Sequence, residues 1–273
     1  MSTRRCVLCA SEFEVDAGDV STTTCPACYR AAWEAGQAAL SNEPAKSPSY
    51  PVTTAIIAAN ALVFAIMVLS GVSAFLPTPQ QAIAFGADFG PLTLNGQWWR
   101  LVTSMFVHFG IIHIGLNMWC LWNLGRAAEI LMGRFPYLLA YFATGMFGSI
   151  VSVYWHPLAA GAGASGAIFG MAGVLVTFVY LKKTPAHLQI NKKMLSSLGG
   201  FIFYNLVIGA SIPGISNAAH VGGLVMGAAV GVLLPAANAA ESSRRTRLSF
   251  VLVFCAASLL ASAVAAKHFH LSR

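Results

Sequence analysis

From residue 52 onward the chain is a succession of long apolar runs separated by short polar, charged or proline-containing breaks. Reading the runs between those breaks predicts seven helices, at about 52–75, 102–124, 135–155, 166–181, 194–212, 218–234 and 248–266. Several reach the roughly 20 apolar residues that cross a bilayer, and the fourth and sixth are the shortest. The first forty residues have a different pattern. They are polar and cysteine-bearing and do not open on a cleavable signal peptide, so membrane insertion is expected to begin at a later helix. The stretch SNEPAKSPSYP, residues 41–51, reads as a short proline-containing linker.

Composition turns this pattern into a choice of solvent. The chain is 57% hydrophobic and 9% charged, against roughly 25% charged residues in a soluble domain. An all-α, polytopic membrane protein is expected. The charges then orient it. With the N-terminus in the cytoplasm, the inner segments hold 13 of the 16 basic residues, leaving Arg100, Lys267 and Arg273 outside. That places the C-terminus outside, with a cytoplasmic (inner) membrane as the location. The net charge of +7 is accounted for as a topology signal, so no nucleic-acid partner is expected.

The polar head carries CVLC (Cys6, Cys9) and CPAC (Cys25, Cys28), two C-x2-C pairs with fifteen residues between them. This spacing suits a tetrahedral four-cysteine zinc site, and a reducing cytoplasm favours metal over disulfides. Unmetallated or redox-active thiols are the alternative. Cys120 and Cys255 lie in apolar runs and read as core residues.

Between Arg134 and Lys182 there is no charged residue, yet Ser165 stands in the glycine-rich stretch GAGASGAIFG. A glycine-rich loop leading into a helix puts Ser165 at the helix N-terminus, where free N–H groups and the helix dipole favour developing negative charge. Gly163 and Gly166 keep side chains out of the way. Close helix packing explains the same small residues, and on this stretch alone it is the stronger reading.

A nucleophilic serine needs a base. Of seven histidines, His187, His268 and His270 fall in a loop and a tail and His156 in an outer turn. His108, His113 and His220 remain at membrane depth or its edge. His220 opens the sixth run, followed by Gly223, Gly227 and Gly231 in a small-residue stripe that would let it approach Gly166 and Gly170 closely. Ser165 and His220 lie seventeen and fifteen residues from Lys182 and Pro235, which sets them at similar depth toward the outer face. Beyond the linker the carboxylates are Asp88, Glu129 and Glu241, and none is well placed to orient His220. The pattern therefore points to a Ser–His dyad, with Phe169, one turn beyond the serine, as a ring to stack on the imidazole. His113 and Asn117, at i and i+4, project from one helix face. Beside Ser165 they would be side-chain donors to an oxyanion, with the Ser165 N–H as another. The plain alternative is hydrogen bonding to neighbouring helices.

The set GASG (Gly163–Gly166), AHVGG (Ala219–Gly223), HxxxN (His113–Asn117) and WWR (Trp98–Arg100) resembles the rhomboid intramembrane serine proteases, over residues 52 to 234. The resemblance implies Ser165 as nucleophile, His220 as general base, and His113 with Asn117 and the Ser165 N–H as oxyanion stabilisers. It makes Arg100 an anchor of the outer loop 76–96, His108 a structural or water-organising residue, and Glu129 a structural acid. The implied organisation is a zinc-ribbon-like head (1–40), a linker (41–51) and a six-helix core (52–235), then an inner loop, seventh helix and outer tail (236–273). Transmembrane protein substrates and the bilayer are the implied partners. No cofactor is expected for catalysis, zinc being structural in the head, which could also recruit a cytoplasmic partner. Two features depart from the family: Phe169 where some members carry tyrosine, and the four-cysteine appendage. Two other functions fit the composition: a rhomboid-like pseudoprotease that binds transmembrane helices without cutting them, and a channel or transporter. The first should lack the serine or the histidine, and the second should spread polar residues along a pathway.

Overall fold

In the computed structural model, residues 2–16, 22–40, 49–181, 192–211 and 215–234 are described. The linker stretch 41–48 and the expected seventh helix and tail lie outside them, as do His187, His268 and His270. The chain divides into two compact units, residues 1–49 and 50–273.

In the first unit, strands β1 (Ser2–Arg5) and β2 (Glu12–Val15) pair antiparallel, with Ser2 opposite Val15 and Arg5 opposite Glu12. Helix α1 (Pro26–Leu40) follows directly on Cys25. Proline suits a first helical position because its missing N–H would have no helical partner. The elements leave Cys6 at the end of β1, Cys9 in the hairpin turn, and Cys25 and Cys28 at the start of α1.

The second unit is helical. Helix α2 (Pro51–Leu69) is followed by three short turns of helix, α3 (Pro79–Ala84), α4 (Gly90–Thr93) and α5 (Arg100–Thr103). Longer helices follow: α6 (Ile111–Met132), α7 (Arg134–Trp155), α8 (Ser165–Tyr180), α9 (Lys192–Ser211) and α10 (Asn217–Leu233). Helix α8 is the axis of the packing. It touches α6, α7, α9 and α10, and twelve of its sixteen residues are buried. Its closest neighbour is α10: a β-carbon on Gly223 or Gly227 would run into the carbonyl oxygen of Gly166 or Gly170. The small-residue stripe thus brings the two backbones together, which fixes the heights of side chains at their N-terminal ends.

Two expected helices are bounded differently. The first stops at Leu69 rather than at 75, closed by Ser70 and Gly71. The second begins at Ile111, not at 102, and runs to Met132 rather than 124. Gly110, at φ +100°, breaks the apolar run, and a β-carbon there would meet the Phe75 carbonyl. The added lower turns hold Arg126 and Glu129, charges that the sequence pattern treats as an end. Glu129 is buried because it caps α2. Its carboxylate accepts from Val52 N (3.1 Å), Thr53 N (2.9 Å) and Thr53 Oγ1 (2.7 Å), N–H groups with no partner inside their own helix.

Seven membrane helices are expected from the pattern, six of them in the core with the fourth and sixth the shortest, whereas among the described residues two helices, α2 and α7, are both long and apolar enough to cross a bilayer. Helices α8 and α10, of 16 and 17 residues, are about 24–26 Å long. Around the unit many large apolar side chains are exposed, among them Leu62, Leu69, Ile112, Leu116, Trp119 and Val225. So much exposed apolar surface is what a bilayer-facing wall requires.

Candidate active site

Ser165 is the first residue of α8, after the loop Gly161–Ala164. That loop is held at both ends. Gly161 exchanges two backbone hydrogen bonds with Asp88, both 2.8 Å, and Gly163 N donates to Ser104 O at 2.9 Å. Gly163 has φ +121°. A β-carbon there would stand 2.9 Å from His113 Nε2 and 3.9 Å from Ser165 Oγ. Glycine is needed on both counts: the left-handed backbone and the ring that covers it.

His220, buried in the first turn of α10, lies with Nε2 3.0 Å from Ser165 Oγ. Phe169 stacks on its imidazole at 4.3 Å between centroids and 3° between planes. Among the described residues His220 Nδ1 is buried without a hydrogen-bond partner, so there the ring's orientation is held by packing and by no carboxylate. Such a pair can pass the serine proton to Nε2 as the hydroxyl attacks a carbonyl.

His113 approaches from the first turn of α6. Phe109 N–H donates to its Nδ1 at 3.2 Å, which assigns the proton of the neutral ring to Nε2, the atom facing Gly163. A donor is thereby aimed at the space beside Ser165. Asn117, one turn on, is buried, with Nδ2 donating to His113 O at 2.9 Å and Oδ1 unpartnered. The second Nδ2 hydrogen remains for another acceptor. His108 is fully buried, with Nδ1 3.2 Å from Phe106 O and its ring edge-on to His113 at 5.2 Å. Arg100 sits under the outer loop, donating to the carbonyls of Ile83 (2.7 Å) and Ala87 (2.9 Å) and to Gln97 Oε1 (2.8 Å). Gly166 packs near the Ala219 carbonyl. His156 ends α7 and is exposed, away from these groups.

Residues 95–237, more than half of the chain, match the Rhomboid domain.

The chain belongs to the rhomboid family.

It is 39% identical over 194 residues to rhomboid protease GluP of Bacillus subtilis, covering 68% of this chain and 36% of GluP. It is 32% identical over 171 residues to rhomboid protease AarA of Providencia stuartii, 55% of this chain and 60% of AarA. With the putative rhomboid protease YdcA of Bacillus subtilis it shares 32% over 179 residues, 65% of this chain and 85% of YdcA. The chain thus spans between about a third and three-fifths of GluP and AarA. As a rhomboid, it is a membrane protein.

The structure adds residues to the rhomboid site that the pattern did not single out. Asp88 is buried and lines the same cavity as Ser165 and His113, together with Ser104, Ser149, Ser152 and Ser216. Ser152 and Ser216 are 2.6 Å apart and join α7 to the start of α10. Gly145, Gly148, Ser149 and Ser152 recur at helical spacing on α7, a small polar stripe that was available as a signal. Phe201 of α9 packs on Phe169 at 5.4 Å between ring centroids.

In the head, ligand atoms of Cys6, Cys9, Cys25 and Cys28 all lie within 4.8 Å of one another. Four thiolates around one zinc at 2.3 Å would be about 3.8 Å apart, and Cys9 and Cys25 Sγ are at 3.7 Å. Cys25 N–H donates to Cys6 Sγ at 3.3 Å, and this bond holds the Cys6 thiol down at about 6, whereas hydrogen bonding with the Cys9 and Cys25 side chains pushes Cys28 up to about 12. Sulfurs so close to one another resist carrying several negative charges unless a cation shares them. The donor set fits zinc.

Proposed function

We propose that the chain is an intramembrane serine endopeptidase that cleaves transmembrane segments near the outer side of the bilayer. The observation that carries this reading is the 3.0 Å approach of His220 Nε2 to Ser165 Oγ at the start of α8, with His113 Nε2 beside it. A substrate's transmembrane segment approaches laterally beside α9 and unwinds into the site. Unwinding is needed because a helical peptide bond has its carbonyl engaged and shielded. His220 takes the Ser165 proton as Oγ attacks the carbonyl carbon, and the negative oxygen is met by His113 Nε2–H, Asn117 Nδ2 and the Ser165 N–H. His220 returns the proton to the leaving amine, leaving an acyl-enzyme on Ser165 that water from the outer face hydrolyses.

Six spans, a cytoplasmic N-terminus and residence in the inner membrane complete the proposal, resting on the distribution of basic residues and the exposed apolar surface. Zinc is held by the head cysteines, apart from the chemistry, and the head serves as a small docking module. The test is cleavage of a transmembrane substrate by the purified chain in liposomes, beside Ser165→Ala and His220→Ala. Cleavage by the parent and neither variant supports a dyad protease. Equal cleavage by Ser165→Ala removes the assignment, and binding of helices with no cleavage by any form points to a pseudoprotease.

A further inference from the structure

The cavity beside Ser165 contains a carboxylate that the dyad does not use. Asp88, 2% exposed, reaches it from the outer loop, fixed there by its two backbone bonds to Gly161. Those bonds belong to the main chain, so the loop does not need an acid at this position to close against Gly161. The side chain has its own surroundings. Thr93 Oγ1 donates to Oδ1 at 3.2 Å, and the hydroxyls of Ser149 and Ser104, themselves 3.3 Å apart, also bear on the carboxylate. Arg100, the loop's buried cation, commits its guanidinium hydrogen bonds to the Ile83 and Ala87 carbonyls and Gln97 Oε1, and acts on Asp88 through its field. A carboxylate accepts about four hydrogen bonds. Thr93 supplies one proton, and the two linked serines, one of which donates to the other, supply at most one more, which leaves acceptor capacity on the carboxylate open to the cavity.

The cavity's size restricts what can supply it. Its volume is about 30 Å³, whereas roughly 10–15 Å³ of this kind of space holds one water. That is room for roughly two or three waters, or for a hydroxymethyl group. A hydroxyl also suits either protonation state of Asp88, since it donates to a carboxylate and accepts from a carboxylic acid. Gly161, Ala162, Gly163 and Gly166 line it beside Met105 and Ile215.

We propose that Asp88 is a specificity-determining residue: it makes this pocket select serine, over apolar residues of the same size, as the substrate residue whose carbonyl Ser165 attacks. The selection rests on the protease reading above. With serine bound, the hydroxyl takes the free acceptor site on Asp88; with an apolar side chain of the same shape, that site loses its water and gains nothing.

The test uses the full chain in liposomes and synthetic transmembrane peptides that differ at the residue before the cut, serine in one and 2-aminobutyrate, its methyl isostere, in the other. For the parent, kcat/KM is expected to be roughly tenfold higher for the serine peptide. In Asp88→Ala that ratio falls to within about twofold of one, while Asp88→Asn, which keeps an acceptor, retains part of it. Equal rates for the two peptides with the parent overturn the proposal even if the Asp88 variants do not fold, and so does an unchanged ratio in a folded Asp88→Ala. Cleavage of neither peptide overturns the protease reading itself, which separates that failure from this one.

Discussion

Glycines on the α8–α10 seam and the pair Gly199–Gly200 on α9 have opposite surroundings. On the α8–α10 seam, a β-carbon on Gly173 would strike the Leu224 carbonyl and one on Gly227 the Gly170 carbonyl. On α9, a β-carbon on Gly199 or Gly200 would meet nothing within 4 Å among the described residues, whereas one on Gly209, near the other end, would run into the Asn217 side chain. The faces agree with this. Helix α8 is buried along most of its length, while α9 exposes Phe203, Tyr204, Val207 and Ile208. The same residue type locks one pair of helices and leaves the Gly199–Gly200 stretch of another open. The locked pair carries Ser165 and His220, the proposed dyad, whose separation must hold to a few tenths of an ångström for proton transfer. Helix α9 is the one beside which a substrate is proposed to enter, and its aromatic link to the proposed dyad runs through Phe201 on Phe169.

The comparison breaks most severely at Gly227→Leu. The side chain has no space against the Gly170 backbone, so the seam must part, at a cost of about 3 kcal/mol or more. Thermal unfolding in detergent should move down by many degrees and proteolysis should vanish; a near-parental midpoint would mean the seam is loose. Gly163→Ala is next. It forces an unfavourable φ and pushes on the His113 ring, so kcat should fall on the order of 10²-fold with little change in the unfolding midpoint, as read by parallel kinetics and calorimetry. Phe169→Ala removes the stack on His220, worth about 0.5–1.5 kcal/mol. We expect roughly a tenfold loss in kcat, recovered by Phe169→Tyr, which keeps the ring face. Gly199→Ala, on the open helix, should be the mildest, stabilising α9 by about 0.5–1 kcal/mol and leaving activity within about twofold; a large loss would place a close neighbour there.

What the sequence disclosed follows the same division. Ser165 and His220 stood out because polar groups in apolar runs are costly and need a reason, and the glycine stripe implied the close approach that brings them together. Phe169 followed from helical spacing. Asp88 did not stand out. It is joined to the site by a loop that returns to Gly161, a contact without periodicity, and its own neighbourhood in the chain reads as an outer loop. The start of α6 was hidden for another reason: residues 102–110 are apolar enough to continue a helix, and the break at Gly110 arises from its packing against Phe75. The other end of α6 was hidden because charges usually close an apolar run, and the expected helix stops at 124; Glu129 continues it because the N-terminus of α2 satisfies its carboxylate.

The central claim is that Ser165 is a nucleophile activated by His220 and held by the α8–α10 seam. Its most direct measurement is the rate and position of labelling by a fluorophosphonate probe in the reconstituted chain, with the adduct mapped by peptide mass. The account expects the adduct on Ser165, none in Ser165→Ala, and labelling of His220→Ala slowed by about 10²-fold or more. An adduct on another residue, or equal rates with and without His220, would contradict it.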